Sequence, residues 1–177
     1  MTNIIFLDID ECFNNIAGTI RCRQLGLPAH DFAGFNPVSI ALLRELCSLT
    51  DAKIVLSSTW RMHYKTDEDC INEFEAMLEK YFQWPEFPII GRTSNGFKFI
   101  HPKTKRLTGS CRGDEIKQWL DLHDCTNYVI IDDSKDFLLS QKQNFVKVHW
   151  LNGFDFNCFQ RALKILKPDE NKYLLMK

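Results

Sequence analysis

Asn3-Ile4-Ile5-Phe6-Leu7-Asp8-Ile9-Asp10 is a short apolar run that ends abruptly on two aspartates spaced i, i+2. An unbroken apolar run of this length reads as a strand buried on both faces. Side-chain alternation puts both carboxylates on the same side as the chain leaves the sheet.

The pattern repeats outward from this strand. A helix is expected from about Pro37 to Leu49: Asn36 can cap it, Pro37 suits its first turn, and Ile40, Leu43 and Cys47 recur on one face. A second strand over Ala52–Leu56 follows, which completes a βαβ rhythm. Thr66 ahead of Asp67, Glu68 and Asp69 opens another helix with Ile71, Phe74, Leu78 and Tyr81 inward. Further on, Pro88–Ile90, Tyr128–Ile131 and Phe145–His149 read as strands, and 114–123 and 155–166 as helices. Together these specify a single α/β domain over 1–177, a three-layer sandwich around a mainly parallel five-stranded sheet. Residues 11–36 and 94–111 break the rhythm; they read as an irregular flap and as a loop or hairpin insertion.

Composition narrows the functional classes. With 22 Lys plus Arg against 23 Asp plus Glu, the 177-residue chain carries a formal net charge of -1. No global basic field draws it to nucleic acid or anionic membrane, so any nucleic-acid contact must be local. No apolar stretch reaches the roughly 18 residues of a membrane helix, and the N-terminus lacks the pattern of a secretory signal. Seven cysteines without a C-x-x-C pair fit free thiols in a reducing, cytoplasmic setting. His30, His63, His101, His123 and His149 are scattered and take no assigned role.

Val129-Ile130-Ile131-Asp132-Asp133 is a second buried strand ending in acids. Open α/β sheets bind ligands outside the carboxyl ends of their strands, so the two ends can converge and gather up to four carboxylates. Such a cluster repels itself unless a cation is bound, and oxygen donors with no neighbouring His or Cys point to Mg2+. The plainer use of the same acids is to start a loop and cap a helix. A third strand end, Ile54-Val55-Leu56-Ser57-Ser58-Thr59-Trp60-Arg61, offers hydroxyls and backbone N–H groups for a phosphate, with Arg61 adding charge. Arg112 precedes a helix, and Lys103, Lys105 and Arg106 lie in the loop before it.

The order of these motifs resembles the haloacid dehalogenase (HAD) superfamily of aspartate-nucleophile phosphatases. Asp8-Ile9-Asp10 is similar to its D-x-D motif, Ser57 to its second motif, Arg112 to its third and Asp132-Asp133, with Asp136 behind, to its fourth. Ser57-Ser58-Thr59-Trp60-Arg61 and Arg112-Gly113-Asp114-Glu115-Ile116 also resemble the small HAD domain associated with RNA-repair systems. The resemblance implies a Rossmann-like fold, with Asp8 as nucleophile and Asp10 as acid and base. It further implies Mg2+ held by Asp8, the Asp10 carbonyl and Asp133, with Asp132 and Asp136 as additional or supporting groups. Phosphate would be bound by Ser57, Ser58, Arg61 and Arg112, with the loop lysines an alternative source of the third-motif cation.

Two positions depart from the family pattern. Glu11 replaces the usual Gly, as in the polymerase-tail phosphatases, and Cys12 replaces the following Thr or Val. The short 11–36 segment implies a minimal cap and a site open to large substrates, nucleic-acid ends or phosphoproteins among them. Phe97, Phe99, His101, Lys103, Lys105 and Arg106 interleave rings with cations, as a strand-binding surface does, and equally as a solvated hairpin does. A non-catalytic phosphate-binding or regulatory module is the rival reading. A phospho-accepting receiver domain places its acidic pair and accepting Asp in the opposite order.

Overall fold

The computed structural model describes residues 2–29, 31–101, 103 and 105–167. His30 and the last ten residues of the expected 1–177 domain lie outside the described residues. Strands β1 (Asn3–Leu7), β2 (Lys53–Leu56), β3 (Ile89–Arg92), β6 (Asn127–Asp132) and β7 (Phe145–Lys147) form one all-parallel sheet in the order β3-β2-β1-β6-β7. Helices α2 (Pro37–Thr50), α3 (Asp67–Phe82) and α5 (Phe156–Leu166) supply one layer, and α4 (Arg112–Leu122) the other.

Alternation along the strands explains the layering. Ile5, Leu7, Ile54, Leu56, Val129 and Ile131 face the larger core shared with α2, α3 and α5. Ile4, Phe6, Val55 and Ile130 turn to the smaller one, where Ile116 of α4 is buried. The Trp119 ring meets Phe6 edge-on there, 5.4 Å between centroids. The helix ends follow the sequence signals. Asn36 caps α2 with Pro37 inside it, and Thr66 and Asp69 form a reciprocal capping box on α3.

Residues 11–36 correct the expectation of an irregular segment, because they hold helix α1 (Ile16–Leu25) and a 3-10 turn at Phe32–Gly34. This helix carries no apolar stripe; its buried residues are Gly18 and Cys22. It packs by close approach instead, since a Cβ on Gly18 would come within 1.8 Å of the Gly34 carbonyl oxygen. Residues 94–111 contain an antiparallel hairpin of β4 (Lys98–Ile100) and β5 (Leu107–Gly109). Phe97 and Phe99 lie 6.0 Å apart and are half-buried on it.

The chain order sends β2 and β3 to one side of β1, and β6 and β7 to the other. The switch point of the sheet therefore falls between β1 and β6, at the ends that carry the aspartates.

Candidate active site

Register brings the site together. Leu7 pairs with Leu56 on one side and with Ile131 on the other, so the next residues, Asp8, Ser57 and Asp132, stand level on three adjacent strands. Backbone bonds continue the ladder past the strand ends: Asp8 N donates to Ile131 O at 3.0 Å and Ser57 N to Leu7 O at 2.9 Å. The level is fixed by the sheet itself, not by loops.

Carboxylate oxygens of Asp8, Asp132 and Asp133 lie within 4.8 Å of one another. Asp8 and Asp132 are buried and Asp133 half-buried. Burial, then the neighbouring Asp132 charge, pushes the Asp8 carboxyl up to about 7 against the lowering pull of Arg112 and the Ser58 hydroxyl. Asp133 is raised by the same pair of causes. The buried Cys12 thiol is also pushed up, first by burial and then by these acids. Three hard oxygen donors under mutual repulsion suit a divalent cation, and these residues could hold one.

Arg112 is the counter-charge among them. Its Nη1 lies 3.1 Å from Asp8 Oδ1 and also pairs with Asp132 Oδ2. Burial works against the guanidinium charge, but Asp132 and Asp8 outweigh it. Gly113 makes this placement possible, because a Cβ there would meet the Leu138 nitrogen at 2.6 Å. The first turn of α4 consequently docks on the loop after β6, with Gly113 N donating to Asp136 O at 3.1 Å and Gln141 Nε2 to Gly113 O at 2.8 Å.

Ser57 is fully buried, and its Oγ has no hydrogen-bond partner among the described residues. A buried hydroxyl left in that condition is costly unless a ligand satisfies it. The Ser58 hydroxyl favours the ionised form of Asp8, and it caps the 3-10 turn at Thr59–His63 by accepting from Trp60 N.

Two expected groupings are corrected. Asp10 does not join the carboxylate cluster: the chain leaves the sheet after Leu7 and turns back, with Phe13 N and Asn14 N both donating to Ile9 O, so strand alternation no longer applies. Its Oδ1 instead accepts the Trp60 indole N–H at 3.0 Å, beside a cleft also lined by Asp31, Phe32, His63 and Glu73. Arg61 does not present its cation to the site, because the side chain is buried, donating to Ser57 O and Ser58 O and to Glu115 Oε2. Of the basic candidates, Arg112 contacts Asp8, whereas Lys103, Lys105 and Arg106 are exposed on the hairpin. Asp136 stands behind the cluster, accepting from the Ser134 hydroxyl at 2.7 Å and from Arg112 N at 3.3 Å. Burial raises its pKa, but these bonds and the Arg112 charge bring it below the ordinary value.

Trp60 and Glu115 are the site residues that sequence reading passed over as functional groups. Nothing in a lone indole says that it will bond an aspartate 50 positions away.

The family model for the HAD domain in Swiss Army Knife RNA repair proteins matches residues 4–157. The chain belongs to this family. No curated protein and no solved structure matches it. Membership in the RNA-repair HAD family agrees with the all-parallel α/β sheet and points to phosphatase-type activity. The matched span contains every site residue described above. Among the described residues, no helix is long and apolar enough to cross a membrane.

Proposed function

We propose that this RNA-repair HAD domain is a Mg2+-dependent phosphomonoesterase that works through an aspartyl-phosphate on Asp8. The carrying observation is the placement of Asp8, the unpartnered Ser57 Oγ and the Arg112 guanidinium around one strand-end position. It offers a nucleophile with two groups able to receive phosphoryl oxygens.

In this reading an Asp8 carboxylate oxygen attacks phosphorus while the bond to the leaving oxygen breaks, and Asp10 gives that oxygen its proton. Asp10, now a carboxylate, takes a proton from water. The water oxygen attacks phosphorus, the bond to Asp8 breaks, and inorganic phosphate leaves. Ser57 and Arg112 hold the transferring group in both steps. Asp8, Asp132 and Asp133 would hold Mg2+, which when bound supplies positive charge that offsets their repulsion and favours ionised Asp8. Asp136 supports the arrangement through Ser134 and the start of α4.

Nucleic-acid terminal phosphates are the proposed substrate class. The family's RNA-repair description supports this. So do the short segment between β1 and α2 and the exposed Lys103, Lys105 and Arg106 on the hairpin. The test is phosphate release with Mg2+ from oligonucleotides carrying 3′-, 2′- or 5′-phosphates, set beside mononucleotides, phosphopeptides and sugar phosphates. Selective release from oligonucleotide ends, lost in Asp8→Asn, is expected. Mg2+-independent release, or a preference for phosphopeptides or sugar phosphates, would reject the proposal.

A further inference from the structure

Beside the phosphate-binding strand end lies an internal ion pair that has no part in the chemistry so far assigned. Arg61 and Glu115 are 6% and 5% exposed, and Arg61 Nη2 lies 2.6 Å from Glu115 Oε2. Bringing two such charges out of water costs several kcal/mol per ion, so the pair is an expensive way to join two elements.

What the pair joins is specific. The Nη1 of Arg61 donates to the carbonyl oxygens of Ser57 and Ser58, the latter at 2.8 Å, which holds the turn after β2 from behind. Those two residues carry the buried, unpartnered Ser57 hydroxyl and the Ser58 hydroxyl that favours ionised Asp8. Glu115 sits one turn along α4 from Arg112 and uses its second oxygen on the hairpin: Oε1 accepts Gly96 N at 3.0 Å and Ser110 Oγ at 3.1 Å. One carboxylate thus connects the base of the β4–β5 hairpin, the helix that carries Arg112 and, through Arg61, the Ser57–Ser58 turn.

We propose that Arg61 and Glu115 are positioning residues, which set the Ser57–Ser58 turn and Arg112 at one fixed separation for binding the phosphoryl group. The proposal rests on the phosphatase reading of the site, but its consequence for phosphate binding does not need turnover. A guanidinium is required for geometric reasons. Its planar fork serves two carbonyls and a carboxylate at once, whereas a lysine ammonium in the same place cannot reach all three. A pair that only stabilised the fold would lower unfolding temperature and leave the folded fraction's ligand affinities alone.

The test compares wild type with Arg61→Lys and Glu115→Gln, each first shown to be folded by circular dichroism at the working temperature. Calorimetry measures inorganic phosphate binding in the presence of Mg2+ and, separately, Mg2+ binding without phosphate. The expected result is about 10-fold weaker phosphate binding in both variants with Mg2+ affinity within about 2-fold of wild type, because Asp8, Asp132 and Asp133 are untouched. On an aryl phosphate, kcat should fall by about 10-fold or more while the Mg2+ activation constant is kept. Ser110→Ala, which loosens Glu115 through its second oxygen and removes no buried charge, decides the matter if either variant fails to fold. It should weaken phosphate binding by about 3-fold. Folded variants with wild-type phosphate affinity, or equal losses of phosphate and Mg2+ affinity, would overturn the proposal. Absence of wild-type turnover on any phosphomonoester would reject the phosphatase reading alone, since the phosphate-binding comparison still stands.

Discussion

Trp60 donates its indole N–H to Asp10 Oδ1 at 3.0 Å, across 50 residues of sequence. The ring is itself clamped, edge-on to Phe32 at 5.3 Å and packed against Phe35 and Phe74. Asp10 is exposed, so this bond is what gives its carboxyl a defined direction. Trp60→Phe keeps a ring in the aromatic cluster and removes the donor. For an acid that protonates a leaving oxygen, the loss should grow with the basicity of that oxygen. We expect kcat to fall by about 10-fold on an alkyl phosphate or nucleotide and by less than about 3-fold on nitrophenyl phosphate. Equal losses on both would remove Asp10 from leaving-group protonation.

Asp8 gives a pH dependence with a definite sign. Its carboxyl is raised to about 7, by burial first and by Asp132 next, whereas an unfolded Asp titrates near 3.9. A raised acid binds its proton more tightly in the fold. Its contribution is therefore present below about pH 4 and is lost as the pH climbs through 7. Metal-free wild type should lose stability over that interval relative to Asp8→Asn, which keeps the size and has no proton to lose. The difference should approach about 1.4 kcal/mol per pH unit across the interval. Urea unfolding in chelator at pH 4.5 and 7.5 reads it. Mg2+ at pH 7.5 should restore stability to wild type, and turnover should be absent in Asp8→Asn.

The acids after β6 should separate by role. Asp133 contributes an oxygen to the carboxylate cluster, whereas both oxygens of Asp136 are engaged by Ser134 and the Arg112 backbone. Asp133→Ala should raise the Mg2+ concentration needed for half-maximal activity by about 10-fold or more. Asp136→Ala should shift it by less than about 3-fold while lowering the unfolding temperature, because the start of α4 loses an acceptor. Mg2+ titration of activity, paired with thermal unfolding, distinguishes the two.

Glu11 occupies the left-handed region at φ 60, where a residue with a Cβ is strained. Its amide donates to Asn14 O at 3.1 Å, closing the turn that carries Asp10 away from the sheet. Glycine at the corresponding family position accordingly has a conformational reason. Glu11→Gly should stabilise the fold by about 0.5–1 kcal/mol, the relief of strain being partly offset by a more flexible unfolded chain. Chemical denaturation measures the change.

The strand-end acids are legible in the sequence because two separate apolar runs both stop at paired aspartates, which loop starts and helix caps do not require. Register then carried Asp8, Ser57 and Asp132 to one level with no help from the loops. Helix α1 was not legible, since it is held by the bare backbones of Gly18 and Gly34 and shows no apolar period. The direction of Asp10 depended on how the chain turned after Ile9, and strand alternation is silent once the strand has ended. The charge of Arg61 alone reads as that of a phosphate ligand; its place is decided by Glu115, a partner 54 residues away that no local pattern joins to it.

The hairpin carries the prediction on substrate class. Lys103, Lys105 and Arg106 are exposed on the β4–β5 hairpin, whose base is bonded to Glu115 beside the site. Phosphates of a bound strand would displace counterions from these cations, so their contribution should weaken with salt. Lys103→Gln and Arg106→Gln remove charge and keep length. Lys105 has a φ of 56, so Asn, which tolerates that conformation, is the suitable replacement there. The triple variant should raise KM for a phosphorylated oligonucleotide several-fold at low salt. It should also flatten the dependence of log(kcat/KM) on log salt by up to about 2, at about 0.7 for each single-strand phosphate that these side chains neutralise. Kinetics on a small aryl phosphate should stay within about 2-fold, because that substrate does not extend to the hairpin. An unchanged salt slope on the oligonucleotide would show that the hairpin does not touch the strand, and equal losses on both substrates would assign these side chains to the shape of the site.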